Sequence, residues 1–385
     1  MSLPREPVLH TLRNRIAADP DTFARNVFAR LFGSAPTVRD MFPAHLSHLR
    51  EVFSQILEHV LEVLPAPDGH DELIELLAQL GRDHRKYGVT AEHYDLMAQA
   101  LVSEAAVQLA DIWNRESAET VAQAVLLTTG VMRGAAQSAE GPATWRARVV
   151  QKFGINRERA VVRLIAVDEM PEFQAGQYLE TQIPQWPHAW RSLSPSVPPN
   201  LAGELEFHVR SVPSGHVSTS IVKETQPGDV WTFAQAHGTL HVEPGQPVLM
   251  VAGGTGLAPL RALLLSAAMN ADAPPAHLFY GARFPGELYE LGMLRELAAT
   301  NPWLTVTAVI DETVDPWWLP AAPDPHQWGF EVLHGRVGDI AARYGDWTGR
   351  QVLIAGPADM ITSTKLKLRL AGVPSDQMQS DPVHD

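Results

Sequence analysis

The sequence predicts a multidomain chain: an all-α section, then an antiparallel β-barrel, then an α/β section on a parallel sheet. Three observations carry this. Apolar residues recur at helical spacing through the first third of the chain. Short β-branched runs between turn residues follow Gly141-Pro142. After Gly245, short apolar strands alternate with helical stretches. At roughly 100–200 residues per domain, 385 residues hold two to four domains, each large enough to bury a core. The boundaries fall at 1–140, 141–244 and 245–385.

Composition narrows the function classes. Hydrophobic residues make up 45%, which argues against wholesale disorder. Lys and Arg total 30 against 44 Asp and Glu, a net charge of −14, which argues against nucleic acid or an anionic membrane surface as a general partner. The absence of cysteine excludes disulfides, thiolate metal sites, iron–sulfur clusters and cysteine nucleophiles. Residues 1–16 show no apolar signal run. The most apolar stretch, 248–269, is broken by Gly253, Gly254, Gly256, Pro259 and Arg261, so no membrane span is expected. The chain reads as cytoplasmic.

Helical spacing covers 23–32, 46–64, 72–85, 91–112 and 118–137, separated by Pro36 and the Pro65-Ala-Pro67-Asp-Gly69 stretch. Asp21 and Thr90 stand where N-caps belong. Runs 146–153, 160–167, 178–183, 205–212 and 230–233 read as strands of a small antiparallel barrel. Strands at 248–251, 277–280, 305–310 and 352–355 alternate with helices at 258–269, 286–300, 337–344 and 359–371. Glu204, Glu206 and Asp311-Glu312 read as solvated charges. Trp317-Trp318, with Trp328, mark a Pro-rich insertion at 316–325 that reads as local loop packing, or else as a lid or partner surface.

Gly253-Gly254-Thr255-Gly256-Leu-Ala-Pro259 follows a buried strand and opens a helix. Glycines let a backbone approach a diphosphate, and the helix N-terminus supplies N–H donors and positive dipole. Pro259 takes the third glycine's place in a GxGxxG pattern, and proline is sterically natural in a first helical turn. The bland alternative is an ordinary tight turn.

This loop, with Phe279-Tyr-Gly-Ala-Arg283 and Leu353-Ile-Ala-Gly356-Pro357, resembles the nicotinamide domain of the ferredoxin-reductase superfamily. There an antiparallel flavin-binding barrel comes just before it. Gly176-Gln177-Tyr178 is similar to that barrel's PGQY strand, Arg191-Ser192-Leu193-Ser194 to its RxYS motif, and Gly215-His216-Val217-Ser218 to its GxVS phosphate loop. The resemblance implies FAD and NAD(P)H as cofactors. Arg191 would pair with a diphosphate, Ser218 would add a hydrogen bond, and Arg283 would touch the ribose or phosphate of the dinucleotide. The family's flavin-packing tyrosine falls on Leu193, its C-terminal flavin-stacking phenylalanine on Val383, and the cysteine before its Gly-Pro turn on Ala355.

Among sixteen histidines, His84 differs, because it follows Leu73, Leu76, Leu77 and Leu80 on one helical face. Alone it reads as a satisfied structural residue. A globin-sized helical section before a flavin barrel and a nicotinamide domain, however, resembles the flavohaemoglobins over essentially the whole chain. Residues 32–42 are similar to the family's interhelical segment and 83–94 to its proximal segment. That resemblance places a haem b ligand on His84, the proximal tyrosine on Tyr94 and a haem-packing ring on Phe42. The distal tyrosine falls on Phe28, which has no donor, and the distal glutamine near His48 or Leu49. The proximal glutamate falls at 135–137, where no carboxylate stands. The implied activity is electron flow from NAD(P)H through FAD to a haem that binds O2 and oxidises nitric oxide, weakened or rerouted by Phe28. Leu193 and Val383 leave open another donor, such as a small hydroxy acid. A redox or gas sensor acting through the Trp-rich insertion is the reading from another class.

Overall fold

Each helical stripe in the first third of the chain finds an apolar partner. In the computed structural model, which describes residues 6–43, 45–66, 68–319 and 329–381, this section folds as α1 (Glu6–Ala18), α2 (Pro20–Ser34), α3 (Ser47–Val63), α4 (His70–His84), α5 (Ala91–Gln108) and α6 (Arg115–Ser138). Leu9, Phe23, Val27, Leu61, Leu77, Leu101 and Val121 meet in its core. Two details differ from the sequence reading. Asp19, not Asp21, caps α2: it accepts from Thr22 N at 3.1 Å, because Pro20 takes the first helical position. Asp21 pairs instead with Arg50 at 2.7 Å. Leu76 is 38% exposed, off the stripe formed by buried Leu73 and Leu77. Thr90 does precede α5, and its backbone N–H donates to His93 Nδ1 at 3.1 Å. Where α4 crosses α6, a Cβ on Gly81 would lie 2.1 Å from Met132 O, so only glycine allows the approach.

This helical section is one compact unit, Met1–Thr144, and Trp145–Asp385 is a second. The second begins with β1 (Trp145–Asn156), β2 (Arg159–Ala166), β3 (Tyr178–Gln182), β4 (Trp190–Leu193), β5 (Glu204–Arg210), α7 (His216–Lys223) and β6 (Val230–His237). The strands form an antiparallel sheet in the order β4-β3-β6-β1-β2-β5. A bridge between Pro195 and Phe207, with Ser196 N–H donating to Glu206 O at 2.7 Å, joins the two edges and closes the barrel. Trp145, Phe207, Trp231 and Phe233 fill it.

The chain continues through β7 (Val248–Gly253), α8 (Leu257–Ala268), β8 (Ala276–Ala282), α9 (Leu291–Thr300), β9 (Leu304–Ile310), β10 (Glu331–His334), α10 (Val337–Tyr344), β11 (Gln351–Ala355), α11 (Ala358–Leu370) and β12 (Met378–Gln379). All pairings are parallel, in the order β10-β9-β8-β7-β11-β12. From β7 the chain steps outward to β10, then returns to the other flank of β7 as β11. That reversal is a topological switch point, and ligands of open α/β sheets bind outside the strand ends there. Among the described residues no helix is long and apolar enough to cross a membrane.

Candidate functional site

The switch point opens into a cleft of about 1230 Å³ between the barrel and the parallel sheet. A single small-molecule pocket is roughly 300–1,000 Å³, so the space suits more than one drug-sized ligand. On the sheet side stand Gly253, Gly254, Thr255, Gly256 and Pro259 after β7, Arg283 after β8, and Gly356 and Pro357 after β11. The two loops touch: a Cβ on Gly256 would lie 2.3 Å from Ala355 O. The glycine thus keeps the backbone of the two loops in close approach at the start of α8, where a helix N-terminus suits an anion.

On the barrel side stand Tyr178, Arg191, Ser192, Leu193, Ser194, Val217 and Ser218. Arg191 is exposed, with Nη1 donating to Trp190 O at 2.8 Å. The Ser218 hydroxyl donates to Gly215 O and accepts from Val212 N, each at 3.3 Å, so it shapes its own loop. Ser214 in that loop has φ +64°, a strained conformation at a cleft-lining position. The segment predicted as a loop at 216–218 is the first turn of α7.

Two predicted residues stay outside the lining. Gln177 Oε1 accepts from Gln174 N at 2.8 Å, and His216 stacks on Trp186 at 5.2 Å. Val383 and Trp328 lie outside the described residues, as do 320–325 of the insertion. Trp318 packs under Arg157, 4.0 Å from guanidinium to ring, while Trp317 is fully open to solvent.

Sequence reasoning missed Arg159, His208, Arg210, Glu287, Arg336, Asp339 and Asp381, which also line the cleft. It also misjudged Glu206. That carboxylate is buried, bonded to Arg163 at 2.6 Å, Ser196 Oγ at 2.8 Å, Arg261 at 2.9 Å and His208 at 3.2 Å. Although burial opposes the charge, these donors hold its pKa well below the ordinary carboxylate range. Strand β5 is covered on both faces, so alternation gave no warning. Asp311 reaches the cleft too, and burial raises its pKa against the pull of Arg336.

In the helical unit, His84 ends α4 and is half-buried. Its Nδ1 lies 3.3 Å from the hydroxyl of buried Tyr94, so Nε2 is the ring nitrogen that could bind a metal. Burial pushes the imidazole pKa down to about 4, with Lys86 adding to the shift, so the ring is neutral at pH 7. Burial raises the Tyr94 phenol to about 12. Phe28 is buried against Phe32, Phe42 and Phe53, with ring centroids at 6.0, 5.6 and 5.1 Å. His48 is exposed in the first turn of α3, whereas Leu49 packs on the core. A neutral imidazole tethered at Nδ1 fits a haem iron, and the glycine cradle fits a dinucleotide diphosphate.

The sequence matches the globin family over residues 25–132, the oxidoreductase FAD-binding domain over 146–242 and the oxidoreductase NAD-binding domain over 250–365. It is similar to a flavohemoprotein of Bordetella pertussis, 26% identical over 73% of this chain and 75% of that one. It is also similar to the reductase component of propane 2-monooxygenase from Rhodococcus jostii, 28% identical over 61% of this chain and 62% of that protein. The chain thus spans less than two thirds of this relative's length. Among solved structures, the flavohemoglobin of Malassezia yamatoensis with bound FAD and heme shares the fold, with TM-score 0.75, 17% identity and 99% of each chain covered. Fold and cleft therefore define a globin joined to a flavin- and nicotinamide-binding reductase. The chain carries a globin domain followed by oxidoreductase FAD-binding and NAD-binding domains, and it is similar to flavohemoproteins in that combination.

Proposed function

We propose that the chain is a flavohaemoprotein oxidoreductase that draws electrons from NAD(P)H through FAD to a haem b on His84, using O2 to oxidise nitric oxide. Bound FAD would accept a hydride and give up single electrons, and bound haem would supply the iron that takes them up. The chain's own residues do the rest. Arg191, the turn at 213–215 and the first turn of α7 orient a diphosphate along the barrel wall. The 253–256 cradle, with Arg283, orients a second one along the sheet. Tyr94 holds the proton at Nδ1 of His84 and so directs the Nε2 lone pair outward. Phe28 supplies no hydrogen bond on the distal side, which weakens the nitric-oxide step.

The observation that carries this reading is one cleft gathering both motif sets, in a chain that also holds a half-buried, tyrosine-tethered neutral histidine. An anaerobic ultraviolet–visible titration with NADH, then NADPH, tests it. The flavin band is expected to bleach, followed by a Soret shift to the ferrous position. No Soret band after haem reconstitution would remove the haem assignment. Leu193 in the cleft, where the family carries an aromatic ring, favours a second reading in which another donor, such as a small hydroxy acid, reduces the flavin. Bleaching by NAD(P)H alone in an anaerobic donor screen eliminates it.

A further inference from the structure

The segment after β8 fastens the sheet half of the second unit to its barrel. Glu287 Oε1 accepts from Arg159 Nη1 at 2.6 Å, and both side chains are buried. Glu287 Oε2 accepts the backbone N–H of Arg283 at 3.2 Å. Tyr289 Oη lies 3.1 Å from His208 Nδ1, and His208 Nε2 lies 3.2 Å from Glu206. Because a carboxylate only accepts, Nε2 carries the His208 proton, and Tyr289 donates to Nδ1. Glu290 pairs with Arg261 at 3.1 Å, and Arg261 donates across to Ser196 O at 2.7 Å. Arg159 and Glu287 both line the cleft, and Arg159 Nε has no hydrogen-bond partner. Glu287 is thus the charge that compensates a buried guanidinium, and the same carboxylate pins the turn that delivers Arg283.

We propose that Glu287 is a positioning residue for the dinucleotide. Through Arg159 it references the Arg283 turn to the barrel wall, so that both walls of the cleft are set before a ligand arrives. A turn already ordered does not charge its ordering entropy to binding. The proposal rests on reading the cleft as the NAD(P)H site.

The test uses the full-length, FAD-loaded protein. NAD⁺ and NADP⁺ are titrated calorimetrically into wild type, Glu287→Met and Arg159→Met, alongside steady-state NAD(P)H oxidation with ferricyanide. Each variant is expected to weaken dinucleotide binding about tenfold. KM should rise in step, kcat should fall much less, and FAD content should stay at the wild-type level. If a single variant fails to fold, because it leaves one buried charge unpaired, the double variant Arg159→Met/Glu287→Met replaces the pair by an apolar one. It should fold and still bind weakly. Wild-type-like Kd in the folded variants overturns the proposal, as does parallel loss of kcat and FAD. A wild type that binds neither dinucleotide overturns the cleft reading itself, and the proposal with it.

Discussion

Under the proposed function, Phe28 sets how firmly the helical unit holds a polar diatomic ligand. Its ring packs among three other phenylalanines, so the position that the sequence resemblance aligns with a tyrosine holds hydrocarbon. A hydrogen bond to a charged acceptor contributes roughly 1.5–3 kcal/mol, which is about ten- to a hundredfold in a rate or equilibrium. Phe28→Tyr in haem-loaded, reduced protein is expected to slow O2 release by that factor and CO release much less. Stopped-flow traces showing equal effects on both gases would refute a distal hydrogen bond. His277 gives a residue-scale pH prediction in the other unit. It bonds Thr307 Oγ1 at 2.9 Å, and burial, then Arg350, pushes its pKa from 6.5 down to about 4. The unfolded chain therefore binds this proton more readily than the folded one. Its contribution is complete above pH 6.5 and is lost as the pH falls toward 4. Discounted for partial exposure, the effect is on the order of 1–2 kcal/mol. His277→Gln, which keeps a donor for Thr307, should flatten that part of the urea-midpoint profile against pH.

At the scale of elements, the crossing of α4 and α6 is set by one missing Cβ. Gly81→Ala would drive a methyl into the Met132 carbonyl, and forcing extra volume into a packed crossing costs roughly 1–3 kcal/mol. Lower urea midpoints at an unchanged m-value are the expected result; an unshifted midpoint would mean that the helices part freely. Because α4 ends in His84, the same change should disturb haem retention. These helices were legible in the sequence because each carries a long stripe with period near 3.6. The short elements were not. Strand β4 is four residues set between Pro187 and Pro195, so its Arg191-to-Ser194 motif showed while its strand did not. Helix α7 has eight residues beginning after Gly215, and its glycine-serine pattern read as a loop. Strand β10 is equally short. The cleft's motif-bearing residues were legible for the same reason that its partners were not. Gly253 and Arg191 belong to runs with recognisable spacing, whereas Arg159, Glu287 and Glu206 gain their roles from partners far along the chain. Glu206 in particular looked like a solvent-facing strand residue until α8 brought Arg261 against it.

The whole molecule consists of two units that each complete their own cores. The barrel closes around Trp145, Trp231 and Phe233, and the parallel sheet buries both its faces within residues 145–385. Every contact of the 287–290 segment described above also lies inside that unit. The cleft, too, is built wholly from it. A fragment spanning 145–385 is therefore expected to fold, retain FAD and reduce ferricyanide with a kcat/KM for NAD(P)H within about threefold of the full chain, a difference of less than 1 kcal/mol. His84→Ala in the full chain should behave in the same way: normal flavin and ferricyanide reduction, but no Soret band. The pair of measurements separates two kinds of dependence. If the fragment loses flavin while His84→Ala keeps it, the reductase needs the helical unit as a structural support. If both keep it, residues 145–385 hold flavin and reduce ferricyanide without support from the helical unit, whose sequence can then vary at Phe28 without harm to them.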